Sequence, residues 1–326
     1  MPPPPEVTPA ELERASAAAG RLLEDLASSF VGQRPLVELS LAALLARGHL
    51  LLEGAPGLGK TWLVRSLARL LALDFGRVQC TPDLMPADIT GGEVLAPDGG
   101  FRFVPGPVFC QVLLADEINR ATPRTQAALL EAMEEGQVTA GLESHPLPRP
   151  FFVAATQNPI ELEGTWSLPE AQLDRFLFKL IVRQPGLEEL DEILAGPPRP
   201  RPEGTGLEAG EVLALQEAAA AVVVAEPLRR RVAEIVRATH PGNPEAPAAV
   251  RAGVRYGVSP RGGLAVLAGG RALALLRGRT HASPEDLRDA LIPALRHRLL
   301  LAYEAEAAGE RPEDLLREVL RGLPLE

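Results

Sequence analysis

Residues 54–61 read GAPGLGKT, and no other segment constrains the chain so tightly. The string satisfies G-x-x-x-x-G-K-[ST] and lies between a short apolar run, His49–Pro56, and a helical stretch, Thr61–Leu73. A strand that stops at glycine, turns and continues as a helix aims successive backbone N–H groups and the helix N-terminus at one point, which is a site for phosphate. The glycines let the backbone of Gly54, Ala55, Pro56, Gly57, Leu58 and Gly59 wrap close to the anion. Lys60 is expected to reach the β- and γ-phosphates and Thr61 to offer its hydroxyl to Mg²⁺, with Trp62 bordering the nucleotide.

Such a unit belongs in a parallel sheet covered on both faces. Four more apolar runs read as strands: Arg77–Thr81, Val108–Asp116, Phe151–Thr156 and Phe176–Val182. A helix is predicted over Pro123–Glu135, stopped by Gly136, and the alternation gives an α/β fold. Upstream, Thr8-Pro9-Ala10-Glu11 supplies an N-cap, a first-turn proline and a first-turn acid, so a helix is expected to about Ser28 and a second over Pro35–Arg47. The opening prolines are expected to form a short disordered arm. After Gln184 only helical patterns remain, around 208–220, 226–239, 260–277, 284–302 and 312–321. The proline-rich Ala195–Gly206 reads as an exposed connection. We therefore expect a nucleotide-binding αβα core over 1–184 and an all-helical domain over 185–326.

Hydrolysis needs more than a phosphate loop. In QVLLADEINR, Gln111–Arg120, an apolar strand ends in adjacent acids. Asp116 can hold Mg²⁺ through water, and Glu117 can polarise the attacking water. Taken alone, an acidic pair at a strand end is as readily a solvated one; after the phosphate loop, hydrolysis is the better reading over passive binding.

A formal charge of −10, from 33 Lys+Arg against 43 Asp+Glu, argues against a free-standing nucleic-acid binder. The run Arg229-Arg230-Arg231 reads as a solvated face. Two cysteines, Cys80 and Cys110, cannot make a disulfide framework, and the scattered histidines lack metal-ligand spacing, with His49 read as structural. No apolar run approaches a membrane span, and the N-terminus shows no signal-peptide pattern, so a reducing cytoplasm is the expected compartment. Lysine occurs only twice, at Lys60 and Lys179, while arginine supplies every other basic residue except histidine. One of the two occupies the slot where a compact ammonium meets phosphate.

GAPGLGKT, LLADEINRATPRTQAALLEAMEEGQVT, ATQNP and LPEAQLDRF resemble, in order, the MoxR family of AAA+ ATPases, and the resemblance runs from about Val31 to Leu300. It implies a P-loop AAA+ core with a five-stranded parallel sheet in the order 5-1-4-3-2, a helical lid, and a ring, often a hexamer, with ATP and Mg²⁺ between neighbours. Val31, Gly32 and Gln33 then lie near the adenine, and Asn158 is sensor 1, orienting water or the γ-phosphate. Arg175 matches the arginine finger, the alternative being a salt bridge with Asp174 or Glu170; Arg120 and Arg124 are further interface candidates. Arg261 in GVSPRGG matches sensor 2, in its own subunit or a neighbour's. As a cation in a first helical turn it needs an anionic partner. Ala87–Phe109 and Gln137–Phe152 resemble inserted hairpins that face the pore or a partner, the first with a turn near Pro97–Gly100. Thr122, Trp166-Ser167 and the glycines of GVSPRGG depart from the family pattern, away from phosphate- and metal-facing positions.

The implied function is chaperone-like remodelling, maturation or activation of a client protein, often with a von Willebrand factor A domain partner, which would be a separate protein. A nucleic-acid-stimulated motor and the ATPase subunit of a metal chelatase are the alternatives.

Overall fold

The computed structural model describes residues 7–95, 97, 99–141, 143–159, 165–196 and 207–325. Helices α1 (Pro9–Ser28) and α2 (Arg34–Leu45) precede strand β1 (Leu50–Glu53), and α3 (Lys60–Leu70) follows the phosphate loop. Strands β2 (Phe75–Gln79), β3 (Val112–Asp116), β4 (Phe152–Gln157) and β5 (Phe178–Ile181) complete one sheet, with α4 (Pro123–Glu135) between β3 and β4. All pairings are parallel and the spatial order is β2-β3-β4-β1-β5, the expected 5-1-4-3-2.

Alternation along the strands explains why their sequences are continuously apolar. Leu50, Leu52, Val112, Leu114, Phe152 and Ala154 join one buried cluster with α1, α2 and α3. Leu51, Leu113, Ala115, Val153 and Ala155 point the other way, into a second cluster with Leu129, Leu130 and Met133 of α4. Each fully buried leucine contributes about 2 kcal/mol relative to exposure.

The helix starts follow their caps. Thr8 accepts from the Glu11 N–H at 3.3 Å while the Thr8 N–H donates to Glu11 Oε2 at 2.8 Å. Ser283 and Asp286 repeat the pattern at the start of a later helix, at 3.3 and 2.8 Å. Thr122 is the N-cap of α4 and accepts from Thr125 N–H at 3.4 Å.

Beyond β5 come α5 (Leu187–Ala195), α6 (Ala209–Ala221), α7 (Glu226–Ala238), α8 (Pro260–Leu276), α9 (Pro284–Leu295) and α10 (Pro312–Gly322). The expected arm falls on residues 1–6 and all but the start of the expected proline-rich connection on 197–206, outside the described residues; Ala195, expected to open that connection, is instead the last residue of α5. Two expectations need correction. The segment is not helical throughout, because Val254–Tyr256 and Leu300–Leu301 form a small antiparallel pair. The helix expected over 284–302 ends at Leu295, where the chain turns and brings Leu300 to that pairing. Strand bounds also shift: β2 begins at Phe75, two residues earlier than expected, and β3 begins only at Val112, since 108–111 turn on the Cys110 N–H to Val108 carbonyl bond at 2.8 Å.

The C-terminal helices close over α1 and α2. Leu273 and Leu276 of α8 share one apolar cluster with Leu22 and Leu26 of α1. Polar ties fix the contact: Ser16 Oγ donates to the Leu275 carbonyl at 2.9 Å, and Arg277 reaches Glu38 at 2.7 and 3.0 Å.

The first insertion forms an antiparallel pair, Gly91–Leu95 with Phe101–Pro105, whose Leu95–Phe101 pairing brackets the expected turn. The second pairs Gln137–Ala140 with Glu143–Pro146. The two hairpins meet where Phe103 stacks on His145, ring centroids 3.9 Å apart and planes within 7°.

Candidate functional site

Because all five strands run the same way, the sheet has two chemically distinct edges. At the carboxyl edge, β1 ends in the phosphate loop, β3 ends in Asp116 and β4 ends just before Asn158. Pro56, Gly57, Leu58, Gly59, Lys60, Thr61 and Trp62 line one cavity of about 380 Å³ there, together with Asp116, Glu117, Thr156, Gln157 and Asn158. The loop needs its glycines: Gly57 and Gly59 have φ of 80° and 82°, which side-chain-bearing residues rarely adopt, and Gly59 is the N-cap of α3. Lys60 sits on that helix's first position, and its ammonium donates to the carbonyls of Gly54 and Ala55, the latter at 2.9 Å. Burial pushes the ammonium's pKa down, against Asp116 and Glu117, which pull it up.

Gly54 and Ala55 thus enter the site through their carbonyls rather than the cavity wall. Gly32 and Gln33 line a neighbouring cavity of about 410 Å³, and Val31 borders neither. Just upstream of that segment, the Ser29 carbonyl accepts from the Trp62 indole of the phosphate loop's helix at 3.3 Å. Gln33 is left-handed at φ 48° and exchanges two hydrogen bonds with the Arg183 backbone, at 3.2 and 3.1 Å.

The acid pair is held by residues that sequence reasoning missed. Thr156, fully buried, accepts from the Glu117 N–H at 2.8 Å and donates to Asp116 Oδ1 at 2.7 Å. The other oxygen, Asp116 Oδ2, takes the Arg77 guanidinium at 2.7 Å. Glu117 turns off its strand in the left-handed region at φ 56°, a conformation that costs about 1–3 kcal/mol and clusters at functional sites. Gln79 at 3.0 Å and Arg120 at 3.2 Å both donate to its Oε2. Arg120 is therefore turned onto Glu117 of the same chain, while Arg124 is exposed on the first turn of α4. The only sequence sign for Thr156, Arg77 and Gln79 was their place in strands beside the acid pair.

A different cluster occupies the amino edge. Arg175 precedes β5, and its Nη2 pairs with Glu134 Oε2 at 2.7 Å, so its ion pair is with α4 rather than with Asp174 or Glu170. Arg261, in the first turn of α8, reaches Glu134 Oε1 at 3.2 Å and Asp174 Oδ2 at 3.8 Å, which supplies the anionic partner its position demands. Both arginines line a cavity of about 310 Å³ with His49, Met133, Leu177 and Arg298. Among the described residues, none is shared between this cavity and the phosphate-loop cavity. His49 is structural here: its Nδ1 accepts from the Val153 N–H at 3.0 Å, which leaves Nε2–H to donate to the Met133 carbonyl at 3.1 Å.

Sheet order, phosphate loop and helical lid put the chain in the AAA+ class of P-loop proteins. Residues 49–178 match the ATPase family associated with various cellular activities (AAA), and residues 247–319 match the AAA lid domain. A solved putative ATPase from Cytophaga hutchinsonii superposes with a TM-score of 0.86 at 35% identity, over 96% of each chain. Chaperone MoxR1 of Mycobacterium tuberculosis is 43% identical over 96% of this chain and 82% of its own length. The uncharacterized protein YeaC of Bacillus subtilis is 43% identical over 92% of each. The chain belongs to the MoxR family of AAA+ ATPases.

Proposed function

We propose that the chain binds Mg-ATP at the phosphate loop and hydrolyses it through Glu117 in a ring, with Arg175 and Arg261 of one subunit acting on the nucleotide of the next. The observation that carries this reading is the separation of the charged clusters. Lys60, Asp116 and Glu117 stand at the carboxyl edge of the sheet and Arg175 with Arg261 at the amino edge, with the four residues of β1, roughly 13 Å of strand, between them. Arginines turned away from their own nucleotide can serve hydrolysis only across a subunit boundary.

Thr61 and Asp116 offer hard oxygen donors alone, a set that suits Mg²⁺. The bound ion would neutralise charge on the β- and γ-phosphates. Lys60 exchanges the carbonyls of Gly54 and Ala55 for phosphate oxygens. Glu117 polarises the attacking water, Asn158 orients it, and the incoming Arg175 offsets charge on the transferred phosphoryl group.

The cycle remodels a client protein in the cytoplasm, with six subunits as the expected ring and a separate von Willebrand factor A domain protein as the expected adaptor. Two observations support a protein client: the relative named as a chaperone, and the exposed Val94, Leu95 and Phe101 at the first hairpin's end. The net charge of −10 favours protein over nucleic acid.

Subunit mixing tests the shared site. Lys60→Ala and Arg175→Ala are each expected to be folded and inactive alone, and to recover ATP turnover when co-assembled, since a mixed ring contains intact loops facing intact fingers. Folded variants that stay inactive in every mixture would contradict the reading, as would full activity of Arg175→Ala alone.

A further inference from the structure

Arg298 lies in the turn after α9, with its side chain only 4% exposed, and it makes no contact with the phosphate-loop cavity. All five of its N–H donors are used. Nε donates to Asp174 Oδ1 at 2.6 Å, Nη2 to the carbonyls of Asp174 at 2.7 Å and Phe176 at 2.8 Å, and Nη1 to the carbonyls of Leu177 at 3.2 Å and Ala294. The adjacent His297 donates from Nε2 to the Phe176 carbonyl at 3.0 Å. Two consecutive residues of the lid therefore hold the peptide carbonyls of Asp174, Phe176 and Leu177, which flank Arg175 on both sides.

A buried guanidinium costs more to desolvate than a packed apolar side chain of the same volume, so its value lies in geometry rather than in net stability. The geometry here concerns four consecutive residues, 174 to 177, at whose centre stands the side chain offered to the neighbouring subunit. Arg261 belongs to the same assembly, since its Nη1 faces the other oxygen of Asp174 at 3.8 Å.

We infer that Arg298, assisted by His297, is the positioning residue of the arginine finger, clamping lid and finger into one body so that the position of a subunit's lid sets the placement of Arg175 at the next subunit's ATP. The inference rests on the reading that Arg175 acts across the ring. It gives the lid a second output: besides closing over its own subunit, it aims a catalytic group at the neighbour.

The experiment uses the full chain with Arg298→Met, Arg298→Lys and Asp174→Asn, reading ATP affinity, kcat, melting temperature and complementation by Lys60→Ala. Arg298→Met is expected to bind ATP within about twofold of the parent while kcat falls on the order of 100-fold, the scale of a misplacement near 1 Å. Arg298→Lys, with three donors in place of five, should fall between the two. Because the defect lies in what is donated to the neighbour, rings mixed from Arg298→Met and Lys60→Ala should recover turnover as Arg175→Ala mixtures do. A purely structural role would lower ATP affinity together with kcat and give no recovery on mixing. If Arg298→Met does not fold, Asp174→Asn keeps the buried arginine and its carbonyl bonds but removes the carboxylate charge at Nε. It should lower kcat several-fold at constant ATP affinity, and an unchanged kcat overturns the inference. Recovery in the Arg175→Ala mixture without recovery in the Arg298→Met mixture overturns this inference alone. Failure of both mixtures overturns the shared-site reading, and this one with it.

Discussion

Arg175 and Arg261 hold the same carboxylate: Glu134 Oε2 lies 2.7 Å from Arg175 Nη2, and its Oε1 lies 3.2 Å from Arg261 Nη2. One residue comes from the approach to β5 and the other from α8, so a single acid on α4 sets the spacing of two cations drawn from core and lid.

If both arginines act on one phosphate of the neighbour, as proposed, the shared acid makes them a unit, and units are non-additive when dismantled. Arg175→Ala and Arg261→Ala should each lower kcat on the order of 1,000-fold or more while leaving ATP affinity nearly unchanged. The double variant should be no more than a few-fold worse than the poorer single one. Steady-state kinetics on the three variants check this, and multiplied losses in the double variant would show that the two arginines work independently.

Thr156 ties the Glu117 backbone to the Asp116 side chain through one hydroxyl. Thr156→Val keeps the shape and leaves the Glu117 N–H without its acceptor, a loss of about 1–3 kcal/mol. Melting temperature should fall and kcat should drop roughly tenfold as Glu117 loses its anchor. Thr156→Ser, which restores the hydroxyl, should recover most of both.

His49 is buried, and burial pushes its pKa down to about 4 from an ordinary 6.5. Since the unfolded chain binds the proton more readily, stability is intact above about pH 6.5 and falls as pH drops through 6.5 toward 4, by about 3 kcal/mol at most. His297, buried and depressed in the same direction, steepens the fall. Thermal melts from pH 7.5 to 5 should show the decline, and His49→Gln, though less stable at pH 7.5, should show a shallower one.

What was legible in the sequence and what was not follows from how local each signal is. GAPGLGKT, the apolar run ending in Asp116-Glu117, and the caps at Thr8 and Ser283 each declare themselves within a few residues, and the elements formed where those signals stand. The partner of Arg175 did not, because Glu134 lies 41 positions away on a different element and meets it only once α4 packs on the sheet. Thr156, Arg77 and Gln79 read as strand residues, and only the register of β2, β3 and β4 reveals that their side chains converge on the acid pair. The helix expected through 302 followed a continuing apolar pattern, yet in the turn that replaced it Arg298 and His297 leave the helical path to grip carbonyls more than a hundred positions upstream.

The central claim, that Glu117 drives ATP hydrolysis at this phosphate loop, is tested most directly by steady-state ATP turnover of Glu117→Gln alongside its ATP affinity. The substitution keeps the side chain's size and removes the carboxylate that polarises water. ATP affinity within about twofold of the parent, with turnover lower by a factor on the order of 100 or more, is the predicted result. Undiminished turnover in a folded, ATP-binding Glu117→Gln protein would contradict it.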